Sequence, residues 1–300
     1  MSNRIMKIII ALLVISFSVQ SITQAADNKT SINEKFGLPI VVYGGSLSEA
    51  QKVDVENLLE VTDRNLVEEV TVTGDDLVKY IEGENRNARM FSSAKITRQE
   101  KDEGLIVKLV TPKNITQVTE SMYANALITA GVEGAIVEVA SPIAVSGHSA
   151  LTGIYKAYDV SGEALNKERM EVANEELNIA TEIAENAGID PEKVSELLTE
   201  IKKEISEQNP VSRQEVEKIV EEKLKSLNIN LSEQDRQLLI DLFDKIRSLN
   251  INFDTVKQQL NDLQDTISTK LDEIVGNEGF WQKVKNFFQS IVDFFKGLFN

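Results

Sequence analysis

Glycine and aromatic residues are concentrated in one part of the chain, and this uneven distribution constrains the fold more than any motif does. Residues 36–162 hold eleven of the fifteen glycines and all five tyrosines, whereas residues 163–275 hold one glycine and two aromatic residues. Glycine suits turns, aromatic residues favour strands, and glycine-free stretches favour helices. We therefore predict an α+β (or α/β) fold, with a mixed-sheet α/β domain at 36–160 and a helical region at 161–275.

The α/β domain is predicted from short apolar runs that alternate with helical segments. Ser46 and Glu49 have the spacing of a capping box at the start of the first helix. A polar loop at 99–104 separates two strand-like runs, which predicts a β-hairpin. The predicted strands are 39–43, 66–73, 88–97, 105–111 and 135–140, and the predicted helices are 46–59, 75–80 and 119–131.

The helical region shows apolar residues at helical spacing between clear start and stop signals. Pro191 falls at a helix start, where its missing N–H does no harm. The last of these helices has heptad spacing over a short run, which favours packing within one bundle over a coiled-coil dimer. The predicted helices are 165–187, 191–207, 212–226, 232–248 and 254–275.

The first 25 residues have the parts of a secretory signal peptide. Arg4 and Lys7 provide a positive start, and the apolar run at 8–19 is shorter than the roughly 20 residues of a spanning helix. Compact residues that end in Ala25 provide a cleavage site. We predict a signal peptide at 1–25, a linker at 26–35, and an extracellular or cell-surface location. An uncleaved N-terminal anchor is the alternative.

The composition excludes several classes of chemistry. The chain has no cysteine and one histidine, so disulfides, thiolate sites and multi-histidine metal sites are excluded. Its net charge is −16, and a protein this acidic lacks the basic surface that neutralises nucleic-acid phosphates. We expect no cofactor, no metal site and no nucleic-acid partner.

The stretch Gly147–Leu151 partly matches the nucleophile elbow of hydrolases. It lacks the glycine that this motif needs two residues after the serine, and His148 adjoins Ser149, so no separate histidine remains to act as its base. We interpret the stretch as a strand-to-helix turn with Ser149 as a cap. No particular pair of carboxylates stands out for hydrolysis in so acidic a chain.

The C-terminal stretch 279–300 carries the strongest functional signal. As a helix, its large apolar side chains would cover one arc of about 160° and its polar side chains the other. It holds the only tryptophan and six of the eleven phenylalanines, and three lysines against Asp293 give it a charge of +2. Such a helix suits a membrane interface, but the same face also suits docking on the helical region or an oligomer contact. The predicted contact residues are Phe280, Trp281, Val284, Phe287, Phe288, Ile291, Val292, Phe294, Phe295, Leu298, Phe299, Lys283, Lys285 and Lys296.

Short stretches between residues 36 and 275 also carry a resemblance to a known family. They are Val72–Leu77, Asn87–Ala94, Val110–Thr116, Ala124–Ala126, Thr129–Gly131, Val139–Pro142, Gly147, Ser149–Ala157 and Ala173–Leu177. Together they resemble the domain of unknown function 1002 family, exported proteins of mainly Gram-positive bacteria. The resemblance implies export and assigns no activity.

These observations predict an exported envelope or cell-surface protein that is not an enzyme. Its C-terminal amphipathic helix would serve for membrane-interface or partner association. Two alternatives remain open, a carboxylate-dependent envelope hydrolase and a membrane-active protein that permeabilises bilayers.

Overall fold

The computed structural model describes residues 35–249 and 251–276 and has an α+β fold, as predicted. Strands are interspersed with helices as far as residue 160, and every later element in the described residues is a helix. The predicted signal peptide at 1–25, all but the last residue of the linker at 26–35, and the C-terminal segment at 279–300 lie outside the described residues.

One mixed sheet of five strands forms the first part of the fold. The strands are β1 (Ile40–Gly44), β2 (Glu68–Val72), β3 (Ser93–Arg98), β4 (Leu105–Leu109) and β5 (Ala135–Ala140). Their order across the sheet is β2-β1-β3-β5-β4. β1 pairs with β2, and β4 with β5, in parallel, whereas β3 runs antiparallel to both of its neighbours. The two edges of the sheet are therefore β2 and β4.

The predicted hairpin between β3 and β4 is wrong, because β5 lies between them. Val137 of β5 is opposite Ile96 on one side and Val107 on the other. β4 and β5 are the two candidate partners of β3, and β5 is the more deeply buried of them. Val137 and Val139 of β5 are completely buried, while β4 alternates between half-buried and exposed residues. A strand that is buried on this scale takes an interior position in the sheet.

Nine α-helices lie within the described residues. They are α1 (Glu49–Leu58), α2 (Gly74–Tyr80), α3 (Glu120–Ala130), α4 (Ser149–Val160), α5 (Lys167–Ala187), α6 (Pro191–Gln208), α7 (Arg213–Ser226), α8 (Glu233–Ser248) and α9 (Phe253–Gly276). Short 3₁₀ turns occur at Arg64–Leu66 and Lys101–Glu103.

Capping residues account for the helix bounds. The hydroxyl of Thr119 accepts a hydrogen bond from the N–H of Met122, and Gly131 ends α3 in the left-handed conformation. α1 begins later than predicted, because Ser48 rather than Ser46 is its cap. The Ser46 hydroxyl instead accepts a hydrogen bond from the N–H of Met90 at 3.0 Å.

The sheet buries one face much more completely than the other. α3 and α4 cover the first face, where Val42, Ile96 and Val137 belong to a core that continues through the helices to Ile246 of α8. α1 packs on the opposite face through Val55, beneath β1. One continuous apolar core therefore joins the sheet to the helical layers, as expected when amphipathic helices bury their apolar stripes against a sheet.

A close approach of two backbone segments fixes the point at which β5 enters the sheet. A Cβ on Gly134 would lie 2.2 Å from the carbonyl oxygen of Glu100 and 2.5 Å from that of Gln99. Only glycine allows this approach, and it brings the Gln99 N–H within 3.0 Å of the Gly134 carbonyl oxygen.

We therefore expect Gly134→Ala to lower the free energy of unfolding by at least about 2 kcal/mol, because backbone atoms must move to admit the methyl group. Gly153→Ala is the matched control, since the nearest atoms to its new Cβ belong to side chains, Val42 at 3.3 Å and Val72 at 3.7 Å. Chemical denaturation of both variants measures the difference. Equal stabilities would contradict this account of how β5 is inserted.

Candidate functional site

The predicted contact residues between 280 and 299 all lie outside the described part of the chain. Within residues 35–249 and 251–276, no helix is long and apolar enough to cross a membrane. The same residues contain no group of three or more histidine, aspartate or glutamate side chains placed to hold a metal ion. The described residues do contain two features of functional interest, a buried polar cluster and a groove.

The buried polar cluster links α3, α5 and α6. Its centre is an ion pair between Lys202 and Glu176, with Nζ and Oε1 2.5 Å apart and side chains 2% and 1% exposed. The other carboxylate oxygen of Glu176 accepts a hydrogen bond from the Thr129 hydroxyl at 2.6 Å. Lys202 also donates to the backbone oxygen of Asn125 at 2.8 Å. Both charges are thus paired and hydrogen-bonded, which is the condition for keeping charged groups inside a protein.

Further hydrogen bonds tie α3 to the helices beside it. The Asn125 amide donates to the Thr199 hydroxyl at 3.0 Å. At the other end of α3, the Arg169 guanidinium donates to the carbonyl oxygens of Thr129 and Ile128 at 2.7 and 3.0 Å. A cation at a helix C-terminus is favourable because the last carbonyl groups carry partial negative charge. These bonds fix the position of α3 between the sheet and the helical layers.

Burial lowers the pKa of Lys202, and the negative charge of Glu176 opposes that shift. Removing one partner would leave the other charge buried without compensation, which is the costly case for ion pairs in protein interiors. The cluster therefore links three helices, and neither Glu176 nor Lys202 lines the groove described below.

The sequence contains a signal for this cluster that a search for catalytic motifs does not detect. Glu176 falls on the apolar stripe of α5, between the buried residues Ala173 and Ala180. Lys202 falls on the apolar stripe of α6, between Leu198 and Ile205. A charged residue on the buried apolar stripe of a helix indicates that it has a buried partner.

The groove lies between β4, α3 and α9 and has a volume of about 180 Å³. α9 packs on both α6 and α3, and its apolar residues Leu260 and Ile267 form one buried cluster with Ala124 and Ile128 of α3. This packing places α9 alongside α3, and the space between α9 and the outer edge of β4 remains open as the groove.

An ion-pair network closes one end of the groove. Lys270 of α9 lies 2.8 Å from a carboxylate oxygen of Glu120 and 3.6 Å from one of Glu192. The other oxygen of Glu120 accepts a hydrogen bond from the N–H of Leu109 at 2.8 Å. Both oxygens of Glu120 are therefore engaged in contacts that hold the walls of the groove together.

The one histidine lies apart from both features. α4 begins at Ser149 without a side-chain cap, so the prediction that Ser149 is a cap is wrong. The Nε2 atom of His148 lies 3.2 Å from the hydroxyl of Thr181. Burial lowers the pKa of His148. Gly147 adopts φ +110°, and its carbonyl oxygen accepts a hydrogen bond from the Tyr123 hydroxyl. The stretch around His148 thus packs against neighbouring helices.

Comparison with known proteins places the described core within a family. A family model described as a protein of unknown function (DUF1002) matches residues 43–263, which include the buried polar cluster and most of the groove. The chain is also 36% identical over 267 residues to "Uncharacterized protein YpuA" of Bacillus subtilis (strain 168), with 87% of each chain covered. No solved structure matches the chain.

We expect Lys202→Met to lower the free energy of unfolding by about 3–5 kcal/mol, because Glu176 would remain buried without a cationic partner. The double variant Lys202→Met with Glu176→Leu should recover much of that loss, since replacement of both partners removes the uncompensated charge. Denaturant titration of the two single variants and the double variant gives the coupling energy.

The matched control is the neighbouring pair of Glu175 and Lys245, which are 2.7 Å apart with side chains 34% and 52% exposed. Lys245→Met should change stability by less than about 1 kcal/mol, because exposed ion pairs contribute little. Equal losses for Lys202→Met and Lys245→Met would contradict the assigned role of the buried pair.

Proposed function

The chain belongs to the family of proteins of unknown function designated DUF1002, and from this premise we propose that it is an exported, non-enzymatic protein of the cell envelope. In this proposal residues 1–25 direct export and are removed, and the C-terminal segment 279–300 holds the protein at the membrane surface. The observation that carries the proposal is the distribution of side chains along residues 280–300.

The lysines of this segment occupy favourable positions for a helix in a membrane interface. At 100° per residue, Lys283 falls about 20° beyond one border of the apolar arc and Lys285 about 20° beyond the other. In such a position the methylene stem of a lysine covers apolar surface, and its ammonium group reaches the lipid headgroups. Asp293 falls near the middle of the polar arc, as far as possible from the lipid.

The described residues offer little apolar surface for the segment to dock on instead. Six large apolar side chains are exposed among them, and they are spread over separate helices, strands and loops: Val53, Leu66, Ile106, Ile143, Val160 and Val211. The apolar stripe of α9 already packs on α3. A continuous phenylalanine-rich face of eleven large residues is therefore better matched by a bilayer than by this surface.

Electrostatics supports an arrangement in which the segment lies on the membrane and the body stands off it. The chain has a net charge of −16, which becomes −18 without Arg4 and Lys7 of the leader. The segment by itself has a charge of +2. Each of its lysines adds about 1 kcal/mol of binding free energy at an anionic surface. Repulsion of the acidic body by anionic lipid acts over roughly 8 Å. The body would thus be displayed outward on a membrane-bound helix.

The test uses Trp281, the only tryptophan in the chain. The full chain is expressed and the exported protein is purified. We expect its tryptophan fluorescence to shift to the blue when phosphatidylglycerol vesicles are added. A smaller shift is expected with phosphatidylcholine vesicles, because part of the binding free energy comes from lysine and anionic lipid. A spectrum that is already blue in buffer and unaffected by vesicles would contradict the proposal, because it would place Trp281 within protein.

Paired variants separate insertion from charge. Ile291→Asp with Phe295→Asp places two carboxylates in the middle of the apolar arc, and we expect vesicle binding to weaken by at least about a hundredfold. Gln282→Asp with Gln289→Asp adds the same charge to the polar arc and should weaken binding by no more than about thirtyfold, at about 1 kcal/mol for each charge. Equal loss in both double variants would mean that charge alone governs binding. Release of an encapsulated dye from the vesicles would favour the permeabilising alternative.

A further inference from the structure

We propose that the groove between β4, α3 and α9 binds an extended peptide with a basic residue, which adds to the sheet as a strand beside β4. This inference is independent of the C-terminal segment. It starts from β4, which is an edge strand of the sheet. Peptide addition to an exposed sheet edge is a common mode of recognition, since main-chain hydrogen bonds give affinity and side-chain pockets give specificity.

The backbone of β4 leaves suitable groups unpaired along the groove. The carbonyl oxygen of Gly104 accepts a hydrogen bond from β5, and the N–H of Val110 donates to β5. In a parallel ladder, alternate residues face the partner strand, so Leu105, Val107 and Leu109 face outward. The N–H of Leu109 is bonded to Glu120. Within the described residues, the N–H and C=O groups of Leu105 and Val107 have no hydrogen-bond partner.

The groove has the layout that an added strand requires. β4 forms one wall, α3 forms the floor with Ser121 and Ala124, and α9 forms the other wall with Leu263. The side chains of Leu105 and Val107 pack towards the α3 and α9 cluster, so their outward backbone groups lie along the rim of an apolar floor. Every second side chain of an added strand would point towards that floor.

Two buried polar atoms line the groove without a partner. The hydroxyl of Ser121 has no hydrogen-bond partner within the described residues, although the residue is only 1% exposed. Gln259 is 6% exposed and donates through Nε2 to the carbonyl oxygens of Val132 and Glu133, while its Oε1 has no partner. Buried polar groups are normally satisfied, and the amide groups of an added strand that reached these two atoms would satisfy them.

The charge around the groove indicates the kind of peptide. A second cavity of about 260 Å³ adjoins the groove and shares Gly104, Gln259 and Asp262 with it. Asp102 and Asp262 line this cavity and form no ion pair within the described residues, while Lys101 is already paired with Glu133. A lysine or arginine side chain of the peptide would enter this acidic cavity and leave its backbone beside β4.

A second copy of this chain fits the site less well than a basic peptide. The whole chain carries 48 acidic and 32 basic residues. Association of two such surfaces at an acidic cavity is opposed by like-charge repulsion. The proposed occupant is therefore an extended segment of another protein, with a basic residue at one end and alternating apolar residues.

The experiment measures binding of two labelled peptides to the exported protein in the absence of vesicles. The probe is a fluorescein-labelled hexapeptide of alternating valine and threonine that begins with lysine, and its counterpart begins with glutamate. We expect fluorescence anisotropy to show saturable binding of the lysine peptide, and binding of the glutamate peptide at least about tenfold weaker. Hydrogen exchange of the Leu105 and Val107 amides should slow when the lysine peptide binds.

Variants assign the binding to this groove. Val107→Pro removes an outward N–H and no ladder hydrogen bond, a placement that edge strands tolerate, and it should abolish binding of both peptides. Val107→Thr keeps that N–H and is the matched control. Asp262→Asn should lower the affinity for the lysine peptide towards the affinity for the glutamate peptide. Thermal melting of each variant confirms that it is folded.

Three results would overturn the inference. The first is equal binding of both peptides to the unaltered protein, and the second is unchanged binding by folded Val107→Pro. The third is absence of binding at millimolar peptide together with Leu105 and Val107 amides that already exchange slowly. That result would mean that another part of the chain, or a second copy, covers the edge of β4. None of these outcomes depends on vesicle binding, so failure here leaves the membrane proposal to its own test.

Discussion

The buried ion pair of Glu176 and Lys202 constrains how three helices of the structure pack together. It lies where α3, α5 and α6 meet, and α3 is also one of the two helices that cover the more buried face of the sheet. Because each buried charge needs its partner, a shift in the register of these helices would leave Glu176 or Lys202 without compensation. Apolar side chains alone would pack in several ways at similar free energy.

The groove is a consequence of that arrangement. α3 is fixed by Asn125 and Thr129, and an adjacent face, about 100° round the helix, presents Ala124 and Ile128 to α9. α9 follows this face and does not cover the edge of β4. The exposed strand edge thus results from where two helices are held, and Glu120 and Lys270 keep the end of the gap at a fixed width.

Charge organises the molecule on a larger scale. The described body is strongly acidic, and its acidic groups are distributed over the surface and the second cavity. The C-terminal segment has the opposite sign and most of the phenylalanine. In the proposed function these two parts have separate tasks, since the segment meets anionic lipid while the body is held away from it with its groove accessible.

Local sequence patterns were sufficient to predict most helices and strands, the α+β class and the family. Periodicity and caps such as Thr119 and Gly131 act over a few residues, so local sequence is sufficient to read them. Strand order was decided only in the tertiary structure, because β3 and β4 are consecutive in the chain and their separation by β5 depends on which strand can be buried on both sides. The pairing of Glu176 with Lys202 and the groove beside β4 were likewise decided there. Each joins residues far apart in sequence, and the free energy that brings them together comes from packing the whole core.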